Sequence, residues 1–146
     1  MFLHTADLQK ASQLVYKYMN RTSEYIWPLL NQHTGGTTWV KHENHGPTGS
    51  FKNRGAITFM EWLTRTQPDC KGIVTATRGN HGQGLARAAT ARGLEAHIYV
   101  PFGNSRSKNQ AMQGFGAQLN EFGVDYDESR MEAQDRVQRE EGLFYI

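Results

Sequence analysis

The amino-acid sequence predicts an α/β protein built on a parallel sheet with helices across its faces. Short apolar segments alternate with longer segments of helical periodicity from Gly72 to the end of the chain. Turns separate the two kinds of segment. The 15 glycines make up about a tenth of the chain, which exceeds the usual share of about 7%. This alternating order is typical of parallel sheets, because parallel strands need long crossover connections between them.

The first half of the chain contains too little predicted sheet to cover the apolar faces of its helices. Pro28 and the Gly35-Gly36 pair predict an irregular segment at 25–37. Ser50 is expected to cap the helix that follows a loop rich in turn residues. The predicted elements are a helix capped by Thr5, a strand at 38–43, a loop at 45–50 and a helix that ends before Pro68.

The second half predicts a nearly complete α/β unit. Its predicted strands lie at 73–76, 95–100, 118–122 and 143–146, and its predicted helices lie at 85–92, 105–114 and 127–141. A glycine loop from Gly79 to Gly84 is expected to join the first strand to its helix. We therefore expect two regions, an incomplete N-terminal part at 1–71 and a small α/β domain at 72–146.

Composition narrows the classes of partner. The 146 residues carry 16 basic and 14 acidic side chains, and a net charge of +2 does not predict a nucleic-acid or membrane-surface partner. No apolar run approaches the length of about 18 residues that a membrane span needs. Met1 to Lys10 lacks the pattern of a secretory signal, and a single cysteine, Cys70, favours a reducing compartment. A cytoplasmic protein is expected. Four histidines show no metal-ligand spacing, and no metal is expected: His4, His33, His42 and His45.

Lys52 is the first candidate for chemistry. It follows a glycine-containing loop and falls in the first turn of a predicted helix. The positive end of the helix dipole, together with neighbouring Arg54, favours the neutral amine over the ammonium form. A neutral lysine amine is a nucleophile that forms a Schiff base with an aldehyde. The alternative interpretation is a solvated lysine at the start of a helix.

The second candidate is the segment Thr77-Arg78-Gly79-Asn80-His81-Gly82-Gln83-Gly84 between a strand and a helix. Exposed backbone N–H groups at such a turn favour an anion, either a carboxylate or a phosphate. Asn80 supplies a neutral donor, and His81 supplies a donor or a titrating group. The glycine spacing is G-x-x-G-x-G, which differs from the pattern of dinucleotide-binding loops. Taken alone, the signal is weak, because glycines at a tight turn from a strand to a helix are structural more often than not.

Together the two segments resemble the pyridoxal-phosphate enzymes of the second fold type, in particular the branch of threonine/serine dehydratases and serine racemases. Two motifs carry the resemblance, and it extends over nearly the whole chain. The first is Lys41-His42-Glu43-Asn44 followed by Pro47 to Ala56, and the second is Gly79-Asn80-His81-Gly82-Gln83. The resemblance implies the three-layer parallel-sheet domains of that family, without their C-terminal half.

The resemblance also implies roles for individual residues. Lys52 would be the catalytic lysine that binds pyridoxal 5′-phosphate covalently and removes the Cα proton. Asn80 would donate a hydrogen bond to the 3′ oxygen of the cofactor, and Phe51 would pack beside it. The substrate-binding residues implied by the family are Ser50, Thr77, Arg78, Gly79, Asn80 and His81. The implied reaction converts L-threonine or L-serine to a 2-oxo acid and ammonia.

Arg78 departs from the family pattern, which has a small residue before the first motif glycine. In the racemases a serine there acts as a second acid/base, and arginine cannot replace it as a base because it is always protonated. This departure favours elimination over racemisation. Arg78 is expected either to pair with a substrate carboxylate or to point to solvent.

The family's phosphate-binding glycine loop and its partner for the pyridine nitrogen have no counterpart in the sequence. The sequence therefore resembles the N-terminal half of a longer enzyme, and we expect a homo-oligomer for the longer protein. An inactive truncated chain and a related β-elimination or racemase enzyme remain as alternatives. The 146 residues by themselves are expected to bind cofactor weakly and to lack useful dehydratase activity.

Overall fold

A computed structural model describes residues 4–146 of the chain, so the first three residues of the predicted N-terminal region lie outside the described part. The chain divides into two compact units, Met1–Phe51 and Lys52–Ile146. The boundary between the two units falls before the helix Lys52–Thr66. This helix belongs to the second unit because it packs extensively on the helix Asn80–Thr90. The functional domain boundary near residue 72 stays a prediction.

The first unit contains two helices and a small antiparallel sheet. The antiparallel strands β1 (Glu24–Ile26) and β2 (Trp39–Lys41) pair with Tyr25 opposite Val40. A short 3-10 turn at Glu43–His45 follows the sheet. The elements are α1 (Thr5–Tyr18), β1 (Glu24–Ile26), α2 (Pro28–Thr34) and β2 (Trp39–Lys41).

The predictions for this unit were partly wrong. His4, rather than Thr5, is the N-cap of α1, and its backbone N–H donates to the Asp7 carboxylate at 3.1 Å. The segment 25–37 is not irregular, since it contains the end of β1 and all of α2. Pro28 begins α2 rather than breaking it, because proline is well tolerated in the first turn of a helix. Gly35 then ends α2 with a left-handed φ of 70°.

The second unit is the predicted parallel α/β structure. Its four strands are β3 (Gly72–Ala76), β4 (Glu95–Val100), β5 (Gln118–Glu121) and β6 (Leu143–Tyr145). They lie in the order β5-β4-β3-β6, and each neighbouring pair is parallel. This arrangement confirms the fold class expected from the alternating pattern. The elements are α3 (Lys52–Thr66), β3 (Gly72–Ala76), α4 (Asn80–Thr90), β4 (Glu95–Val100), α5 (Arg106–Gly114), β5 (Gln118–Glu121), α6 (Tyr126–Arg139) and β6 (Leu143–Tyr145).

Helices cover both faces of this sheet, so the unit has three layers. One face packs with α3, α4 and α5 in a core that includes Met60, Leu85 and Ile98. The opposite face packs against α6, where Val74 and Tyr99 contact Ala133. All five residues of β3 are buried, as expected for a central strand covered on both sides. Within residues 4–146, no helix has the length and apolar character needed to cross a membrane.

The strand order places a topological switch beside β3. The chain runs outward from β3 through β4 to β5, and α6 then returns it to β6 on the other side of β3. Ligands of parallel α/β sheets bind at the carboxyl ends of the strands near such a switch. The loop that leaves the carboxyl end of β3 contains Thr77, Arg78 and Gly79. The fold therefore places the motif loop where this architecture favours a binding site.

Helix α4 begins at Asn80, earlier than the predicted start at residue 85. The expected glycine loop from Gly79 to Gly84 is thus mostly the first turns of a helix, and that prediction was wrong. The glycines serve packing: a Cβ on Gly82 would lie 2.5 Å from Thr77 Cγ2 and 2.6 Å from Met112 Sδ. Helical periodicity was hidden because small residues replace the apolar side chains of an ordinary helix face.

Replacing Gly82 with alanine is expected to lower the free energy of unfolding by about 1–3 kcal/mol, because the added methyl overpacks a buried contact. Gly114→Ala in α5 is the matched control, since a Cβ there meets nothing within 4 Å. The control should be neutral or slightly stabilising because alanine favours helix. Urea unfolding of both variants measures the difference, and equal stability of the two variants would contradict the packing.

Candidate functional site

The first turns of α3 and α4 approach each other closely, and Gly84 makes this approach possible. A Cβ on Gly84 would lie 3.3 Å from the backbone carbonyl carbon of Lys52 and 3.3 Å from the N and Cα atoms of Asn53. Asn53 is fully buried at this contact, and its Oδ1 accepts from Arg87 Nη1 at 3.5 Å. The contact brings the first residue of α3, Lys52, next to the helix that carries the second motif.

His81 is close enough to Lys52 to be affected by its charge. The pKa of His81 lies below its ordinary value of 6.5, first because the ring is partly buried and second because of the positive charge of Lys52. Both effects disfavour the imidazolium form. His81 is therefore neutral near pH 7, with one ring nitrogen that donates and one that accepts. The charge of Lys52 thus affects the protonation of a residue in the second motif.

The loop between β3 and α4 is fixed at its start and exposes two polar side chains. The N–H of Thr77 donates to the Tyr99 carbonyl of β4 at 3.0 Å, and Thr77 Oγ1 accepts from the Gly79 N–H at 3.2 Å. The side chains of Arg78 and Asn80 are exposed. The first backbone N–H groups of α4 have no intrahelical partner, so this helix start can bind an anion.

Lys108 is a residue of this region that the sequence did not predict as a site residue. A Cβ on Gly79 would lie 2.8 Å from Lys108 Cδ and 3.4 Å from Lys108 Nζ. The lysine side chain, which comes from α5, therefore occupies the space above the buried Gly79. No signal in the sequence relates the two positions, because only the packing of α5 against α4 brings them together.

The remaining predicted site residues, Ser50 and Phe51, belong to the first compact unit. Phe51 is 59% exposed. Ser50 Oγ is buried without a hydrogen-bond partner in the described part of the chain, as is Thr48 Oγ1. A buried hydroxyl without a partner is costly, so these atoms are available to a ligand. The structure describes no group of three or more metal-ligating side chains in residues 4–146 that could hold a metal.

Comparison with known proteins bears on the identity of this site. Residues 21–146 match the family described as pyridoxal-phosphate dependent enzyme. The chain belongs to this family. The chain is 35% identical over 141 residues to L-threonine dehydratase catabolic TdcB of Staphylococcus aureus, with 96% of this chain and 40% of that protein covered.

Solved structures of the family share the fold. A pyridoxal 5′-phosphate-dependent aspartate racemase matches with a TM-score of 0.88 and 29% identity, over 99% of this chain and 45% of that one. Threonine deaminase isoform 2 from Solanum lycopersicum matches with a TM-score of 0.82 and 28% identity, over 99% of this chain and 43% of that one. The chain thus spans less than half the length of these relatives.

The cofactor of this family is pyridoxal 5′-phosphate, and the described residues fit part of it. Lys52 supplies the primary amine that an aldehyde requires, and its backbone closely approaches α4 at Gly84. Asn80, the first residue of α4, supplies an exposed amide donor on that helix. Anionic groups fit the start of α4, where backbone N–H groups are unpaired. The individual roles expected for the site residues stay predictions.

The pKa of His81 provides a test of this geometry. Lys52→Gln should raise the His81 pKa toward 6.5, but not fully, because burial of the ring remains. The control Arg65→Gln removes an exposed positive charge at the other end of α3 and should leave the His81 pKa unchanged. An NMR titration of the His81 ring measures its pKa in the unmodified chain and in each of the two variants. A pKa at or above 6.5 in the unmodified chain would contradict the structure.

The same lowered pKa affects stability. The unfolded chain binds a proton at His81 more readily than the folded chain does. The contribution of His81 therefore lowers the free energy of unfolding as the pH falls below 6.5.

Proposed function

We propose that the whole protein converts L-threonine or L-serine to a 2-oxo acid and ammonia with pyridoxal 5′-phosphate as its cofactor. The observation that carries this proposal is the contact of the Lys52 backbone with the helix that begins with Asn80 and His81. A threonine dehydratase among the relatives, at 35% identity, supports the choice of substrate. Homo-oligomerisation of the whole protein belongs to the same proposal.

Each residue has a defined task in this reaction. The Lys52 amine would hold the cofactor aldehyde, and the Lys52 Nζ atom as a free amine would take the Cα proton of the substrate. Asn80 would donate a hydrogen bond from Nδ2 to the cofactor's 3′ oxygen. Pyridoxal phosphate supplies an aldehyde and a ring that withdraws electrons from the substrate Cα. The β-hydroxyl group leaves as water, and later uptake of water releases ammonia and the 2-oxo acid.

Other residues bind and orient the substrate in this proposal. The start of α4 offers backbone N–H groups to the substrate α-carboxylate. Thr77, Gly79 and His81 shape this carboxylate site in this proposal. The roles that the family resemblance implies for Ser50 and Phe51 belong to the same proposal. His81 remains neutral near pH 7 and therefore contributes a hydrogen bond to the substrate without adding a positive charge to the site.

Racemisation is the second candidate, and its support is the similarity to an aspartate racemase structure at a TM-score of 0.88. A racemase needs a second group that moves a proton on the opposite face of the substrate Cα. Arg78 stays protonated at physiological pH and cannot act as that base. Elimination is favoured because Lys52 alone can move the required Cα proton.

Replacing Lys52 with alanine in the whole protein is expected to reduce 2-oxo acid formation from threonine and serine at least a hundredfold. The magnitude is that of a lost proton-transfer group, about 10²–10⁴. The loss should be accompanied by loss of the cofactor's protein-bound absorbance band. Lys71→Ala, an exposed lysine of the same compact unit, is the control and should retain both signals.

Two outcomes would contradict this proposal. Retained turnover in the Lys52 variant would remove Lys52 from the chemistry. Conversion of L-serine to D-serine without 2-oxo acid by the unmodified protein would replace elimination with racemisation.

A further inference from the structure

A single arginine joins the end of α4 to the middle of α3. Arg92 lies just beyond α4, and its side chain is only 8% exposed. Its Nη2 atom donates to the Ile57 carbonyl of α3 and to Glu61 Oε2, both at 3.4 Å. Its Nη1 atom donates to the Ala88 carbonyl of α4 at 3.2 Å. A buried guanidinium whose donors reach two helices is a directional link between them.

This link is the second of two contact points along the same pair of helices. At the start of α3, the backbone of Lys52 and Asn53 meets α4 at Gly84. Arg92 meets α3 further along, at the Ile57 carbonyl. Gly84 and Arg92 are eight positions apart in the sequence, or roughly 12 Å at the rise of an α-helix. Two contact points at this separation fix the direction of α3, whereas a single point would leave α3 free to tilt about its first residue.

Apolar packing between α3 and α4 does not fix this direction as closely. Met60 and Leu63 of α3 belong to the same buried core as Leu85 of α4. The crossing angles of helices that pack through apolar ridges and grooves scatter by about 15–20°. Hydrogen bonds weaken steeply when donor and acceptor are misaligned, so the bonds of Arg92 narrow that range. The direction of α3 in turn sets the direction of the Lys52 side chain on its first residue.

We propose that Arg92 is a positioning residue that holds Lys52 in its place beside His81 at the start of α4. Arg92 acts through α3 and does not touch the substrate in the proposed reaction. A misplacement of about 1 Å in a reacting group can lower the rate about a hundredfold. The consequence for turnover rests on the proposed function, whereas the consequence for the arrangement of Lys52 and His81 does not.

The pKa of His81 reports this arrangement, because burial of the ring and the charge of Lys52 both lower it. Arg92→Met removes the donors but keeps an unbranched side chain, and it should move the His81 pKa part of the way toward its value in Lys52→Gln. Arg92→Lys keeps the charge and part of the hydrogen bonding, so its value should lie closer to that of the unmodified chain. Arg65→Met, at an exposed arginine of α3, is the control and should leave the pKa unchanged. NMR titration of the isotope-labelled chain measures each value.

A double-mutant cycle separates the position of Lys52 from other effects on the His81 pKa. If Arg92 acts through Lys52, Arg92→Met should cause no further change in a chain that already carries Lys52→Gln. An equal change in both backgrounds would mean that Arg92 acts on His81 without Lys52, and it would overturn the inference. No change in either background would overturn it as well.

A second variant keeps the test decisive if Arg92→Met does not fold. Glu61→Ala removes one acceptor of Arg92, and the fold should tolerate it because the Glu61 side chain is 48% exposed. Loss of the negative charge by itself would lower the His81 pKa, whereas a weaker hold on α3 would raise it. A raised pKa is therefore expected, and a lowered pKa would contradict the inference.

Turnover by the whole protein provides an independent readout. Arg92→Met should lower kcat for 2-oxo acid formation from threonine about 10- to 100-fold with little change in KM, because a misplaced base affects the transition state and not substrate binding. Arg92→Lys should recover most of this loss. An unchanged kcat, or a loss confined to KM, would overturn the inference. Absence of turnover in the unmodified protein would contradict the proposed function instead, and the double-mutant cycle would still decide the role of Arg92.

Discussion

The close approach of α4 to its neighbours is the constraint on which the candidate site depends. Gly84 lets α4 meet the backbone of Lys52 and Asn53, and Gly82 lets its first turn fit between Thr77 and Met112. Close-packed interiors leave no room for added methyl groups at such contacts. The same helix therefore positions Lys52 through its glycines and presents Asn80 and His81 through its first turn.

The parallel sheet explains why the motif lies where it does. β3 is buried on both faces and pairs with β4 and β6, so its carboxyl end is held by two neighbours. The loop that follows is further tied to β4 by the Thr77 N–H bond to Tyr99. A rigid strand end followed by a helix start gives a fixed row of backbone donors at the switch in strand order. Local structure and topology thus favour an anion at the same place.

Several side chains around the motif loop are positively charged. Burial of the ring and, to a smaller extent, the charge of Lys52 lower the pKa of His81, so the positive charge near pH 7 comes from the lysine and not from the histidine. Arg78 and Lys108 add two more cations around Gly79. The site can therefore attract anionic substrates and cofactor groups, while the neutral imidazole remains available as a hydrogen-bonding group.

The sequence by itself determined the parallel α/β class, the strands of residues 72–146 and the family motifs around Lys52 and Asn80. These features are local or periodic, and apolar strands between turns are visible in the order of residues. Tertiary structure alone decided the start of α4, the elements β1 and α2, and the placement of Lys108 over Gly79. The physical reason is packing. The start of α4 consists of small residues that show no apolar periodicity, although they pack closely in the folded chain. Short paired strands and side chains that are distant in the sequence come together only when the chain folds.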